Sequence, residues 1–166
     1  QRKSVMHSDI PILLINLDRS TQRLQAATEQ LKRWDLPFTR ISAVDGKSLD
    51  ANTINQVFDA ATARRRYPYD LTIGEIGCYL SHVKCWQYIV DQQLDFAVIL
   101  EDDLRLNADT PKVLSQLTQI TTAWDYIKLA SPYKFRPYQR VEQLTSSDAP
   151  VSLIRYTEKL PSGTVA

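Results

Sequence analysis

Ala97-Val98-Ile99-Leu100-Glu101-Asp102-Asp103 is the stretch whose reading decides the fold. An apolar run bounded by Asp95 and by three consecutive acids fits a buried strand of a parallel sheet. Adjacent carboxylates repel one another, so core packing does not call for them. They suit a hard divalent cation, because Mg²⁺ and Mn²⁺ favour carboxylate oxygens. In open α/β sheets, ligands bind in the crevice beyond the carboxyl ends of strands, where these acids fall. A solvated acidic loop after a strand is the plain alternative, since short motifs match by chance.

Upstream, Thr72-Ile73-Gly74-Glu75 matches a capping box, and the helix it opens runs to about Gln92. Ile76, Leu80, Val83 and Ile89 are expected on its inner face. Nearer the start, Ile10 to Leu17 is the first strand, followed by a turn over residues 16–20 with Ser20 as N-cap. Leu24, Ala27, Leu31 and Trp34 at helical spacing predict a helix to about Trp34, stopping before Pro37. Phe38 to Val44 is a second strand ending in the Asp45-Gly46 turn. Strand, helix and strand make a right-handed crossover unit, the opening of a nucleotide-binding α/β sheet.

Leu49 to about Ala63, with Ile54, Val57, Phe58 and Ala61, predicts one amphipathic helix. Arg64-Arg65-Arg66 fits a solvated turn or a mobile basic loop near a phosphate, and Tyr67-Pro68-Tyr69 a loop. Downstream, Thr110-Pro111 starts a helix with Val113, Leu114 and Leu117 turned inward. A short strand is expected at Tyr126-Ile127-Lys128-Leu129, a long loop or hairpin over Ser131 to Pro150, and a strand at Val151 to Tyr156. Gln1 to Asp9 reads as frayed, with Met6 as a natural start, and Gly163 to Ala166 as the entrance to another apolar element. No repeat or linker divides the chain, so residues 1–166 are expected to be one domain.

At 166 residues and 43% hydrophobic content the chain can bury a real core. A net charge of +1 gives no global electrostatic case for nucleic acid or membrane. Cys78 and Cys85, seven apart on a helix, lie roughly 10 Å from each other along its axis, too far for a disulfide. They read as buried free thiols, no metal-ligand Cys/His pattern is visible, and a cytosolic setting is favoured. No signal peptide or spanning segment is visible, which leaves peripheral membrane attachment open.

Four blocks resemble glycosyltransferase family 25, the lipooligosaccharide galactosyltransferase family related to collagen galactosyltransferases. They are Ile15-Asn16-Leu17-Asp18-Arg19 with Arg23, Ala43-Val44-Asp45-Gly46, Leu71 through His82, and Val98 through Asp103. Gly163-Thr164 looks like the start of a fifth. The resemblance covers nearly the whole chain and implies a GT-A-like, Rossmann-type sheet flanked by helices, C-terminally incomplete. It implies a UDP-sugar donor, typically UDP-galactose, a glycan or glycolipid acceptor, and inverting transfer in lipopolysaccharide or surface-glycan assembly. It also implies a divalent cation, Mn²⁺ or Mg²⁺, and a cytoplasmic site at the inner face of a bacterial membrane. Two alternatives stand beside it: a domain that binds nucleotide-sugar without turnover, and another nucleotide-dependent transferase such as a nucleotidyltransferase.

On that resemblance Asp103 is a direct metal ligand, Glu101 supports the metal, and Asp102 holds the ribose or donor sugar, roles that can permute. Glu101 stands where such motifs more usually have Asp. Asn16 lies where a uracil edge is read, and Arg19 and Arg23, one turn apart, face the pyrophosphate or simply solvate the helix. Asp45 holds uridine or merely makes its turn. Glu75 borders the donor pocket, serves the capping box, or both. Ser81 and His82 are assigned to the donor pocket, His82 to its sugar or phosphate, against the reading of a hydrogen-bonded core histidine. An inverting transfer needs a base; none is assigned, and in this fold it tends to come from a later part of the chain.

Overall fold

Strand β1 (Ile12–Asn16) is buried at every position. A strand covered on both faces has no solvent side, so its sequence is a continuous apolar run rather than an alternation. The protein is seen here in a computed structural model that describes residues 10–66, 70–129, 136–144 and 151–157. β1 is central in a parallel sheet of order β2-β1-β3, flanked by β2 (Thr39–Ser42) and β3 (Val98–Glu101). The chain thus leaves β1 toward one side and returns to its other side, which makes a switch point of the kind where α/β sheets bind ligands.

Leu13 and Ile15 of β1 pack with Cys85, Tyr88 and Ile89 of helix α4 (Ile73–Asp91) on one face of the sheet. Ile12 and Leu14, which alternate to the other face, are equally buried, as are Ala27 and Leu31 of α1 (Thr21–Arg33). Ser20 precedes α1 as expected, although its side chain makes no capping bond. The capping box at α4 is complete, with Thr72 and Glu75 each bonding the other's backbone N–H.

Several expectations fail for physical reasons. The single helix over Leu49 to Ala63 is two, α2 (Ala51–Val57) and α3 (Ala60–Arg66). Phe58 takes extended dihedrals, and Asp59 accepts from the N–H groups of Ala61 and Thr62, which starts a new helix. Arg64 and Arg65 therefore lie on α3 and not in a turn, and Arg64 pairs with Asp70 at 2.8 Å. The buried stripe of α4 is Ile76, Gly77, Ser81, His82 and Cys85, small and polar where Leu80 and Val83 were expected. Cys78 is only half-buried and Cys85 fully buried; both are free thiols.

Residues Pro11–Leu106 form one compact unit, and the described residues from Asn107 onward belong to a second. The second contains α5 (Thr110–Gln116), with Pro111 in its first turn, and an antiparallel pair, β4 (Tyr138–Leu144) and β5 (Val151–Tyr156). The expected strand at Tyr126 to Leu129 does not form: Tyr126 is 63% exposed, and the segment joins no strand ladder among the described residues. On α5, Leu114 is buried as expected, together with Gln116, whose amide has no hydrogen-bond partner among the described residues. The expectations for Gln1 to Asp9, Tyr67 to Tyr69, Gly163 to Ala166, and the parts of Ser131 to Pro150 outside β4 lie, apart from Arg136 and Pro137, outside the described residues. Among the described residues no helix is long and apolar enough to cross a membrane.

Candidate functional site

The carboxyl ends of the three strands share one edge: Asn16 is level with Ser42, and Ile15 with Glu101. Beyond that edge lies a cleft of about 230 Å³. Its walls are the end of β1, the Ala43–Lys47 loop, the first turns of α4, Arg19 and Arg23, and the acids Glu101 and Asp102. Of the residues singled out in sequence, Asn16, Arg19, Arg23, Asp45, Ser81, Glu101 and Asp102 line it. Glu75, His82 and Asp103 do not.

Asn16 is the hub. It is 1% exposed, and its amide nitrogen donates to the Ser20 carbonyl at 3.1 Å and to Asp102 Oδ2 at 2.6 Å. Its oxygen accepts from Arg40 Nε at 3.1 Å. Both amide hydrogens are thus spent on protein partners, which leaves one lone pair for any ligand. Arg40 went unnoticed in sequence because it is an exposed strand arginine in an undistinguished position. It also pairs with Asp18, and the guanidinium, helped by the Ser42 hydroxyl, holds the Asp18 carboxyl below its usual range.

Two arginine–carboxylate pairs form at the cleft. Arg19 meets Asp45, and Arg23 meets Asp102 while lying 3.4 Å from Asp103. Asp45 also accepts from Lys47 N–H, which caps the short 3₁₀ turn Gly46–Ser48, so its turn-making role is real. Gln30 of α1 fixes the segment after the acids, donating to the Leu104 carbonyl and accepting from Leu106 N–H, each at 3.0 Å. Asp103 stays largely outside, its side chain 72% exposed.

The α4 wall comes close because Gly77 has no side chain. A Cβ there would sit 2.7 Å from the Val44 carbonyl oxygen and from Gly46 N. Ser81, one turn on, accepts from Val44 N–H at 2.9 Å and donates to the Gly77 carbonyl at 2.7 Å, so its hydroxyl is a structural tie. Glu75 is spent on the capping box, and its bond from Thr72 N–H lowers its pKa.

His82 is buried, with Nε2 3.2 Å from Glu101 Oε1, and Cys78 Sγ lies 3.8 Å from the same oxygen. Burial, then the Glu101 charge, pushes the Cys78 thiol up to about 11, so it is protonated at neutral pH. The ligand atoms of Cys78, His82 and Glu101 all lie within 4.8 Å of one another, a group that can hold a metal ion. No such pattern was visible in sequence; the signal available was the Cys-x₃-His spacing, which places both side chains on one helix face.

The family described as Glycosyltransferase family 25 (LPS biosynthesis protein) matches residues 9–152. Procollagen galactosyltransferase 2 of Homo sapiens is 33% identical over 109 residues, 64% of this chain and 17% of that protein. Procollagen galactosyltransferase 1 of Danio rerio is 33% identical over 123 residues, 70% of this chain and 20% of that protein. Inactive glycosyltransferase 25 family member 3 of Mus musculus is 29% identical over 125 residues, 71% of this chain and 21% of that protein. The matches thus span about a fifth of the length of these relatives.

Proposed function

This chain belongs to glycosyltransferase family 25, and we propose that its cleft binds a UDP-sugar and passes the hexose, galactose by preference, with inversion to a hydroxyl of a surface-glycan acceptor. The galactosyltransferases among its relatives and the lipopolysaccharide description of its family support that choice of donor and acceptor. The parallel sheet and its strand-end acids support a GT-A-like fold. One observation carries the reading: Arg19, Arg23 and the carboxylates of Glu101 and Asp102 line a single cleft at the switch point of the sheet.

Asp102 and Asp103 already share a cation, the Arg23 guanidinium, so their oxygens fit a positive charge. Asp103, and Asp102 once released from Arg23, would hold Mn²⁺ or Mg²⁺, with Glu101 supporting the position. When bound, the ion supplies charge stabilisation to the departing diphosphate. Arg19 and Arg23, turned from Asp45 and Asp102 toward the donor, offer forked N–H groups to phosphate oxygens. Asp45, once free of Arg19, has an oxygen available to a uridine hydroxyl. Asn16 orients Asp102, while Ser81 and Glu75 hold the α4 wall in place. No described residue is assigned as the base.

A second reading is a domain that binds the donor without turnover; the mouse relative named inactive favours it. Calorimetric titration with UDP and Mn²⁺, set against ATP or CTP with Mg²⁺, tests the nucleotide. UDP binding in preference to the others is expected; no UDP binding in any metal overturns both readings. Donor consumption in the presence of a sugar acceptor then separates transferase from silent binder.

A further inference from the structure

We propose that Cys78, His82 and Glu101 form a second metal site, for a borderline-soft dication of the zinc class, beside the hard-dication position at Asp102 and Asp103. Cys78 and His82 are four apart on α4, so both side chains leave the same face, and the end of β3 brings Glu101 to them. Sulfur, imidazole nitrogen and carboxylate oxygen are the donors that zinc takes. A tetrahedral zinc ion with ordinary bond lengths spaces its ligand atoms roughly 3.4–3.6 Å apart. The Glu101 oxygen lies 3.2 Å from His82 Nε2 and 3.8 Å from Cys78 Sγ, and all three ligand atoms fall within 4.8 Å of one another.

The chemistry separates this group from its acidic neighbours. Mn²⁺ and Mg²⁺ prefer oxygen ligands, whereas a thiolate with an imidazole selects zinc. Asp102 takes no part, being held by Asn16 and Arg23. Three protein ligands leave a fourth position open, and since Cys78 and Glu101 line the cleft, a water or ligand in the cleft can fill it. On loading, the Cys78 thiol releases its proton to solvent and the sulfur takes the ion in its place. The ion then ties α4 to β3.

Cobalt(II), a spectroscopic substitute for zinc, tests this in the full chain without nucleotide, so failure here leaves the donor reading standing. Metal-stripped protein titrated with Co²⁺ is expected to develop a thiolate-to-cobalt charge-transfer band with tetrahedral d–d bands. Stoichiometric Zn²⁺ should erase them, and excess Mg²⁺ or Mn²⁺ should not. Cys85→Ser should keep the bands, because Cys85 belongs to the core under the sheet, and Cys78→Ser should lose the charge-transfer band. Zinc should also raise the melting temperature of the wild type. Absence of the band in wild-type protein, its loss in Cys85→Ser, or its survival in Cys78→Ser overturns the proposal and leaves a plain hydrogen-bonded trio.

Discussion

Asn16 Nδ2 donates to Asp102 Oδ2 at 2.6 Å, joining the end of the first strand to the acids that follow the third. The bond is buried on the Asn16 side and sets the position of a carboxylate that Arg23 also holds. Asn16→Ala would leave Asp102 without this donor and Arg40 Nε without its acceptor. We expect a loss of roughly 1–3 kcal/mol in urea unfolding, with weaker UDP binding. Unchanged stability would mean that the asparagine is not the hub of the strand ends.

Gly77 and Gly74 should respond differently to the same change. A methyl group at Gly77 meets backbone that cannot yield easily, at 2.7 Å from both Val44 O and Gly46 N. Gly77→Ala is expected to destabilise by roughly 1–3 kcal/mol. At Gly74 the nearest atom is Thr72 Oγ1 at 3.8 Å, an ordinary contact. Gly74→Ala should be neutral or stabilise by up to about 1 kcal/mol, since alanine favours helix. Thermal melts of the two variants side by side check both signs.

Acid sensitivity in the second unit should trace to Glu142. Its carboxylate accepts from the N–H groups of Thr122 and Thr121, each at 3.0 Å. Those bonds, Thr122 first, lower its pKa from 4.5 to about 2. Because the folded value lies below the unfolded one, the contribution is complete above pH 4.5 and is lost as pH falls through about 2. The stability difference between wild type and Glu142→Gln should therefore shrink across that window, as read by denaturant midpoints at successive pH values. A constant difference would show that the charge is not what holds Thr121 and Thr122.

The parallel core was legible because fully covered strands leave unbroken apolar runs, as at Ile12–Ile15, and because Thr72 and Glu75 spell out their cap. The break at Phe58 was not, since periodicity passes through it and only Asp59 as a local acceptor divides the helix. Tyr126 to Leu129 has strand composition, yet it joins no ladder among the described residues, and ladder pairing is not recorded in composition. At the site, the residues singled out by type that line the cleft are Asn16, Arg19, Arg23, Asp45, Ser81, Glu101 and Asp102. What they did not reveal was how far those groups satisfy each other: Arg40 on Asn16, Gln30 on the loop after the acids, and Cys78 with His82 on Glu101. Such partnerships come from strand register and helix docking, which bring together residues as far apart as 16 and 102.

Asp103 offers the most direct measurement. Its side chain is 72% exposed, so Asp103→Ala should leave the melting temperature nearly unchanged. UDP would be titrated into wild type and variant with and without Mn²⁺. If the strand-end acids seat a dication against the donor's diphosphate, the Mn²⁺-dependent part of the affinity disappears in the variant. Equal affinity in the two proteins, with Mn²⁺ present, would contradict that role.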